Sequence, residues 1–186
     1  YDRFMALVDS GFLANQHIYR AIKDFVVDFN YGPTTGTMDK DAEMARLYEE
    51  LEWFKPKEVE AAQGGRQAKN LPGTIVFGQE DDGSTKTEVF INMGDNSRRL
   101  DKLGFWPFGV ITSPASEPVQ SILKAWQDDG GGAAMNFEHG DVFFAGGVSS
   151  EKANIRKNVL IASGNKYVER QYPGCTRIVK VEKVVA

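Results

Sequence analysis

The stretch from Ile18 to Asn30, IYRAIKDFVVDFN, does most to constrain what this chain can fold into. Two apolar runs rich in β-branched and aromatic residues, Ile18 to Ile22 and Phe25 to Phe29, are separated by the polar pair Lys23 and Asp24. This is the pattern of two short strands meeting at a tight connection. Strand alternation would put Ile18, Arg20 and Ile22 on one face and Tyr19 and Ala21 on the other. Arg20 then projects from an otherwise apolar face. It is either an edge residue whose charged head reaches water or a cation held against a partner, and these residues alone favour the first.

Composition narrows the rest. With 186 residues, 41% hydrophobic and 11% aromatic, the chain suffices for one domain with a sizeable core and is short for two. A formal charge of -4 gives no basic footprint for nucleic acid and none for an anionic membrane, so polypeptides or neutral ligands are the expected partners. No apolar run reaches the roughly 18 residues of a spanning helix. The single cysteine, Cys175, cannot form an internal disulfide and has no metal-ligand spacing around it. His17 and His139 also lack partner spacing and read as surface or capping residues, so neither a metal site nor a nucleophile centre is expected.

The chain opens on DRFMALVDSGF, where Phe4, Leu7, Val8 and Phe12 fall at helical spacing and Gly11 can cap the end. GPTTG, at 32–36, is a turn-rich loop. In MDKDAEMARLYEELEWF, Met44, Leu47, Tyr48, Leu51 and Phe54 share one helical face, with Asp39 or Asp41 as cap. The polar stretch from Lys57 to Asn70 reads as an insertion loop or a second, frayed helix. Gly73 to Gly78 and Thr87 to Met93 are predicted strands joined by the acidic turn QEDDGS. In the second, Glu88, Phe90 and Asn92 share one face and Thr87, Val89 and Ile91 the other. Leu100 to Gly109 is a loop entering a strand, with Pro107 marking an edge or a bulge. A helix carrying Val119, Ile122, Leu123 and Trp126 follows, and Arg177 to Val185 is predicted as a terminal strand. Gly130 to Gly132 lacks the ending of a phosphate loop, and the apolar pieces 143–148 and 159–162 carry no clear periodicity.

Four blocks, in order, carry a resemblance: IYRAIKDFVVDFN, LPGTIVFG, KTEVFIN and LDKLGFWPFG. They are similar to F-H-R-V-I-P-G-F-(M/V)-x-Q, P-G-T-(V/I)-x-(F/M)-A, S-Q-F-F-I-N and L-D-x-x-G-F-x-V-F-G of the cyclophilin family of peptidyl-prolyl isomerases. The tail SGNKYVERQYPGCTRI resembles that family's G-N-A-Y-L-x-x-x-F-P-x-L-D-x-I, so the likeness spans nearly the whole chain. It implies a mainly β fold: a closed antiparallel β-barrel flanked by α-helices, one domain over 1–186, with an inserted helix and loop at about 38–70. The first two family strands have no counterpart here, so a preceding part, which would carry any targeting peptide, is expected in the cell. The compartment is therefore not readable.

The implied activity is rotation about the peptide bond before proline, whose barrier is ~18 to 20 kcal/mol. No cofactor and no covalent step are needed. The proline ring must be gripped in an apolar pocket while a donor reaches the imide nitrogen as conjugation is lost. A permanently charged guanidinium suits that role. Carried over residue by residue, the resemblance implies that Arg20 is catalytic, that Phe25, Val26, Phe90, Leu100 and Phe105 form the pocket, and that Gly78 and Gln79 contact the peptide backbone. Proline-containing polypeptides would be the clients, as in assisted protein folding.

The departures matter as much. The family's glutamines beside the arginine become Asp28 and Glu88, and its rim tryptophan becomes Arg99, which implies weak cyclosporin binding. Opposite charges ~4 Å apart near a surface attract by on the order of 4 kcal/mol before desolvation. A charged hydrogen bond to substrate, worth roughly 1.5 to 3 kcal/mol, would compete poorly with that. The alternative expectation is a binding or scaffold subunit of a larger complex, docked through 38–70, with weak or no isomerase activity. A glycosidase-like pair of Asp28 and Glu88 is disfavoured, because Arg20 would keep both ionised.

Overall fold

The computed structural model describes residues 1–21, 24–29, 38–56, 68–111, 166, 170 and 178–183. Its elements are α1 (Asp2–Asp9), β1 (Ile18–Ala21), β2 (Val26–Phe29), α2 (Met38–Glu50), β3 (Thr74–Phe77), β4 (Val89–Asn92), the one-turn α3 (Ser97–Leu100), a 3₁₀ turn at Asp101–Leu103 and β5 (Pro107–Val110). The strands form one five-stranded sheet in the order β1-β2-β4-β3-β5. Every pairing within it is antiparallel. The fold is thus mainly antiparallel sheet with a few helices. Among the described residues β1 and β5 are the edges of this sheet, and its closure into a barrel is not seen.

The period of two in each strand sorts side chains between two apolar clusters. Val27, Phe29, Phe77 and Val89 join Leu7, Val8, Phe12, Leu13, Ile18, Met44 and Met93 in the larger one, with Ile75 and Ile91 packed against it. The intervening Val26, Val76 and Phe90 belong to a smaller cluster with Leu100. A one-residue slip in β2, β3 or β4 would exchange that strand's contributions to the two sets.

Both helices that cover the larger cluster follow from their stripes. In α1 the C-terminal end closes with Gly11 at φ 72, where the N–H of Gly11 reaches the Val8 carbonyl and that of Phe12 the Leu7 carbonyl. Phe12 is thereby turned back into the core, fully buried. Arg3 fastens the same helix by donating to the Glu52 and Lys86 carbonyls and lying 4.7 Å over the Phe54 ring. On α2 and just beyond, the expected face of Met44, Leu47, Tyr48, Leu51 and Phe54 packs on that cluster.

Three expectations change. Ile18 pairs with Phe29 but Arg20 pairs with Asp28, so one extra residue bulges between them. The expected shared face of Ile18 and Arg20 does not hold, since Phe29 and Asp28 have opposite parity on β2. His17 is buried rather than at the surface. The expected terminal strand is absent from the described tail 178–183. There, Ile178 instead exchanges backbone hydrogen bonds with Asn15 and Gln16, and Lys183 pairs with Asp9. Pro107 meets both readings at once: β5 lies at the sheet edge and its register shifts opposite Ile75 and Val76.

The expected features at 32–36, 57–67, 119–126, 130–132, 143–148 and 159–162, together with His139 and Cys175, lie outside the described residues. No described helix is long and apolar enough to cross a membrane.

Candidate functional site

The smaller cluster is where the sequence-predicted pocket residues meet. Val26, Phe90 and Leu100 are buried in it beside Val76, and Phe25 and Phe105 flank it half-buried. All of the expected pocket side chains are brought together, though they come from β2, β4, α3 and two loops. Phe90 and Phe105 meet edge to face at 5.8 Å between centroids, a favourable geometry for two rings.

Register aligns this cluster with the charged positions. Arg20 pairs with Asp28, Asp28 with Phe90, Phe90 with Val76, and Val76 with Pro107, forming one row across all five strands. Asp28 is fully buried and has an interaction partner. The bulge between Ile18 and Arg20 is what gives position 20 this parity, an insertion of the kind that re-aims strands beside functional sites.

Phe25 is placed by close backbone contact. Asp24 takes a left-handed φ of 57 in the turn after β1. The chain at Gly94 approaches it so tightly that a Cβ there would lie 2.2 Å from the Asp24 carbonyl oxygen. Only glycine fits. The Met93 N–H and the Asn96 side-chain amide both donate to the Phe25 carbonyl, each at 2.8 Å.

Glu88 and Gly78 also interlock. The Gly78 N–H donates to the Glu88 carbonyl at 2.9 Å, and the Glu88 side chain lies over the Gly78 Cα, where a Cβ would be 2.7 Å from its Cγ and Cδ. Gln79 uses its amide to donate to the Gly104 carbonyl at 2.8 Å, tethering the loop that carries Phe105. Arg99 lies 4.7 Å over the Phe25 ring, so the rim of the cluster is cationic.

The far side is acidic. Burial, and then Asp81 and Asp82, push the Glu80 carboxyl above its ordinary range. Burial, followed by Glu80, Glu49 and Glu88, pushes the Tyr48 phenol up to about 12. Lys86, itself buried, sits 4.2 Å over the Tyr48 ring and 5.7 Å over that of Trp53.

Sequence reasoning misses three buried asparagines, Asn70, Asn92 and Asn96. The available signal is Asn92 itself, a polar residue with the parity of Phe90 on a strand buried on both faces. Among the described residues no group of three potential metal ligands occurs.

An antiparallel sheet with an apolar cluster of this composition beside an Arg/Asp row sits well with the family comparison. No curated relative matches the chain. Residues 1–134 match the family model described as cyclophilin type peptidyl-prolyl cis-trans isomerase/CLD, which spans most of the chain, and the protein belongs to that family.

Proposed function

We propose that the chain is a peptidyl-prolyl cis-trans isomerase that accelerates rotation of Xaa-Pro bonds in polypeptide clients, without a cofactor. The observation that carries this is the gathering of Phe25, Val26, Phe90, Leu100 and Phe105 into one apolar cluster apart from the main core. A proline ring suits the space between aromatic walls, and its tertiary amide is the bond to be rotated. Arg20, one register step from Asp28, is the donor to the imide nitrogen as the bond twists. Its charge stabilises the twisted state more than either planar isomer, which is what lowers the barrier. Gly78 and Gln79 hold the client backbone at the rim. The closed barrel, a single domain over 1–186 and an insertion at 38–70 belong to the same reading. It is supported by α1, α2 and Ile178 sharing one core.

A second reading, a proline-peptide binding subunit with little catalysis, is favoured by the acids. Asp28 is fully buried and Glu88 is seated against Gly78, and acids at these two positions would compete with substrate for the Arg20 guanidinium. Arg99 in place of the rim tryptophan supports weak cyclosporin binding on either reading.

A protease-coupled isomerisation assay separates the two. Activity in wild type that Arg20→Ala abolishes supports the isomerase. A silent wild type that gains activity on Asp28→Asn with Glu88→Gln supports the binding subunit.

A further inference from the structure

We infer that Asn70, Asn92 and Asn96 are positioning residues: a buried chain of amides that fixes Phe25 and Phe105, the two half-buried aromatic walls, at a set separation. The inference rests on the reading of those walls as a proline pocket.

The chain runs in one direction. The Asn96 amide donates to the Phe25 carbonyl at 2.8 Å and to the Asn92 side-chain oxygen at 2.7 Å. Asn92 donates to the Asn70 side-chain oxygen at 3.0 Å and to the Thr74 hydroxyl at 2.9 Å. Asn70 donates to the Asp101 carboxylate and to the Phe105 carbonyl, both at 2.7 Å. Each amide thus uses both of its N–H groups. Rotating any one of them by half a turn would set oxygen against oxygen, so the orientation is unique.

The ends of this chain are pocket walls, and Asn92 in its middle pairs with Val26 on the sheet face that carries Phe90. Asn96 also accepts from the Leu100 N–H at 2.8 Å, while the Phe105 N–H reaches the Leu100 carbonyl at 3.2 Å. The Asn96 N–H in turn reaches the Asn70 carbonyl at 2.8 Å. Two loop-borne walls and Leu100 at the end of α3 therefore answer to one hydrogen-bonded unit, and Asn70 and Asn92 have no accessible surface at all. Apolar side chains could fill the same volume but would leave the Phe105 carbonyl and the Asp101 carboxylate short of a donor. What they would not supply is direction, and wall spacing is what a ring-gripping site depends on.

The test uses the full chain and a short Ala-Pro peptide, with affinity read by NMR titration alongside thermal melting. Asn96→Ala and Asn70→Ala each remove one side-chain donor from a wall carbonyl, Phe25 keeping only the Met93 N–H, and should weaken peptide binding about tenfold, the size expected for one buried hydrogen bond. Asn96→Asp keeps the shape and loses the donors, so it should behave like Asn96→Ala. It also serves as the second variant should one fail to fold. Asn96→Ala should further shift the amide resonances of Gly104 and Phe105, at the far end of the chain, which a merely local packing role would not do. Val8→Ala in the larger cluster is the stability-matched control and should leave affinity and those resonances unchanged. A wild type that binds the peptide but does not isomerise it sinks the isomerase reading and leaves this inference standing. A wild type that does not bind, or asparagine variants that lose only melting temperature as Val8→Ala does, overturns it.

Discussion

Replacing Gly78 by alanine tests how the acid at position 88 is held. The new methyl would lie 2.7 Å from the Glu88 Cγ and Cδ and 2.8 Å from Oε2, closer than atoms can approach. All three are the far end of a flexible side chain, and Gly78 takes no positive φ, so Glu88 yields rather than the backbone. Alanine alone stabilises by about 0.4 to 1 kcal/mol through the unfolded chain. Forcing Glu88 out of its rotamer costs about 0.5 to 1.5 kcal/mol. The two nearly cancel in the wild-type background, whereas with Glu88→Ala only the gain remains. A double-mutant cycle by urea denaturation should therefore give a coupling of about 1 kcal/mol, beyond the ~0.3 to 0.5 kcal/mol scatter of independent sites. Strict additivity would refute the interlock.

Other outcomes follow from single residues. The Thr85 hydroxyl is buried without a hydrogen-bond partner among the described residues, so Thr85→Val should stabilise by about 1 kcal/mol. For a chain this long that is a rise of roughly 2 to 4 °C in melting temperature, and a fall contradicts it. With its phenol raised to about 12, Tyr48 stays neutral when folded at pH values where an unfolded tyrosine ionises, near 10. Its contribution is intact below pH ~10 and is lost as pH climbs toward ~12, on the order of 1 kcal/mol once screening of this part-exposed ring is allowed for. Glu80→Gln should move the tyrosinate absorbance assigned by Tyr48→Phe to lower pH, and an unchanged profile would remove Glu80 as a cause. Arg99→Trp should strengthen cyclosporin binding at least tenfold by calorimetry, while equal affinity would show that the rim residue does not limit it.

Much of the site was legible because its residues fall in short, ordered blocks. Phe25, Val26, Phe90, Leu100 and Phe105 are scattered over 25–105, yet the resemblance groups them and the structure clusters them. Strand parity was legible from alternation alone in β4, where Val89 and Phe90 belong to different clusters. Alternation fails at the β1 bulge, because an inserted residue leaves no trace in the pattern of apolar positions. The one-turn α3 is too short for a periodic signal. Its local cue was Asp95 and Ser97, where the aspartate accepts from both the N–H and hydroxyl of the serine, and that same contact holds the Asp95 carboxyl below its usual range. The asparagine chain was hidden for a different reason: its members lie 22 and 4 residues apart and are joined only by the folded sheet.

The central claim is that Arg20, set in one row with Asp28 and Phe90, catalyses rotation about an Xaa-Pro bond. Exchange NMR on an Ala-Pro peptide measures that rotation directly, with no coupling enzyme. Catalytic amounts of the full chain should raise the cis-to-trans rate at least a hundredfold over a spontaneous process of tens to hundreds of seconds, and Arg20→Ala should return it to the uncatalysed value. An Arg20→Ala protein that binds the peptide and still catalyses at the wild-type rate would contradict the account.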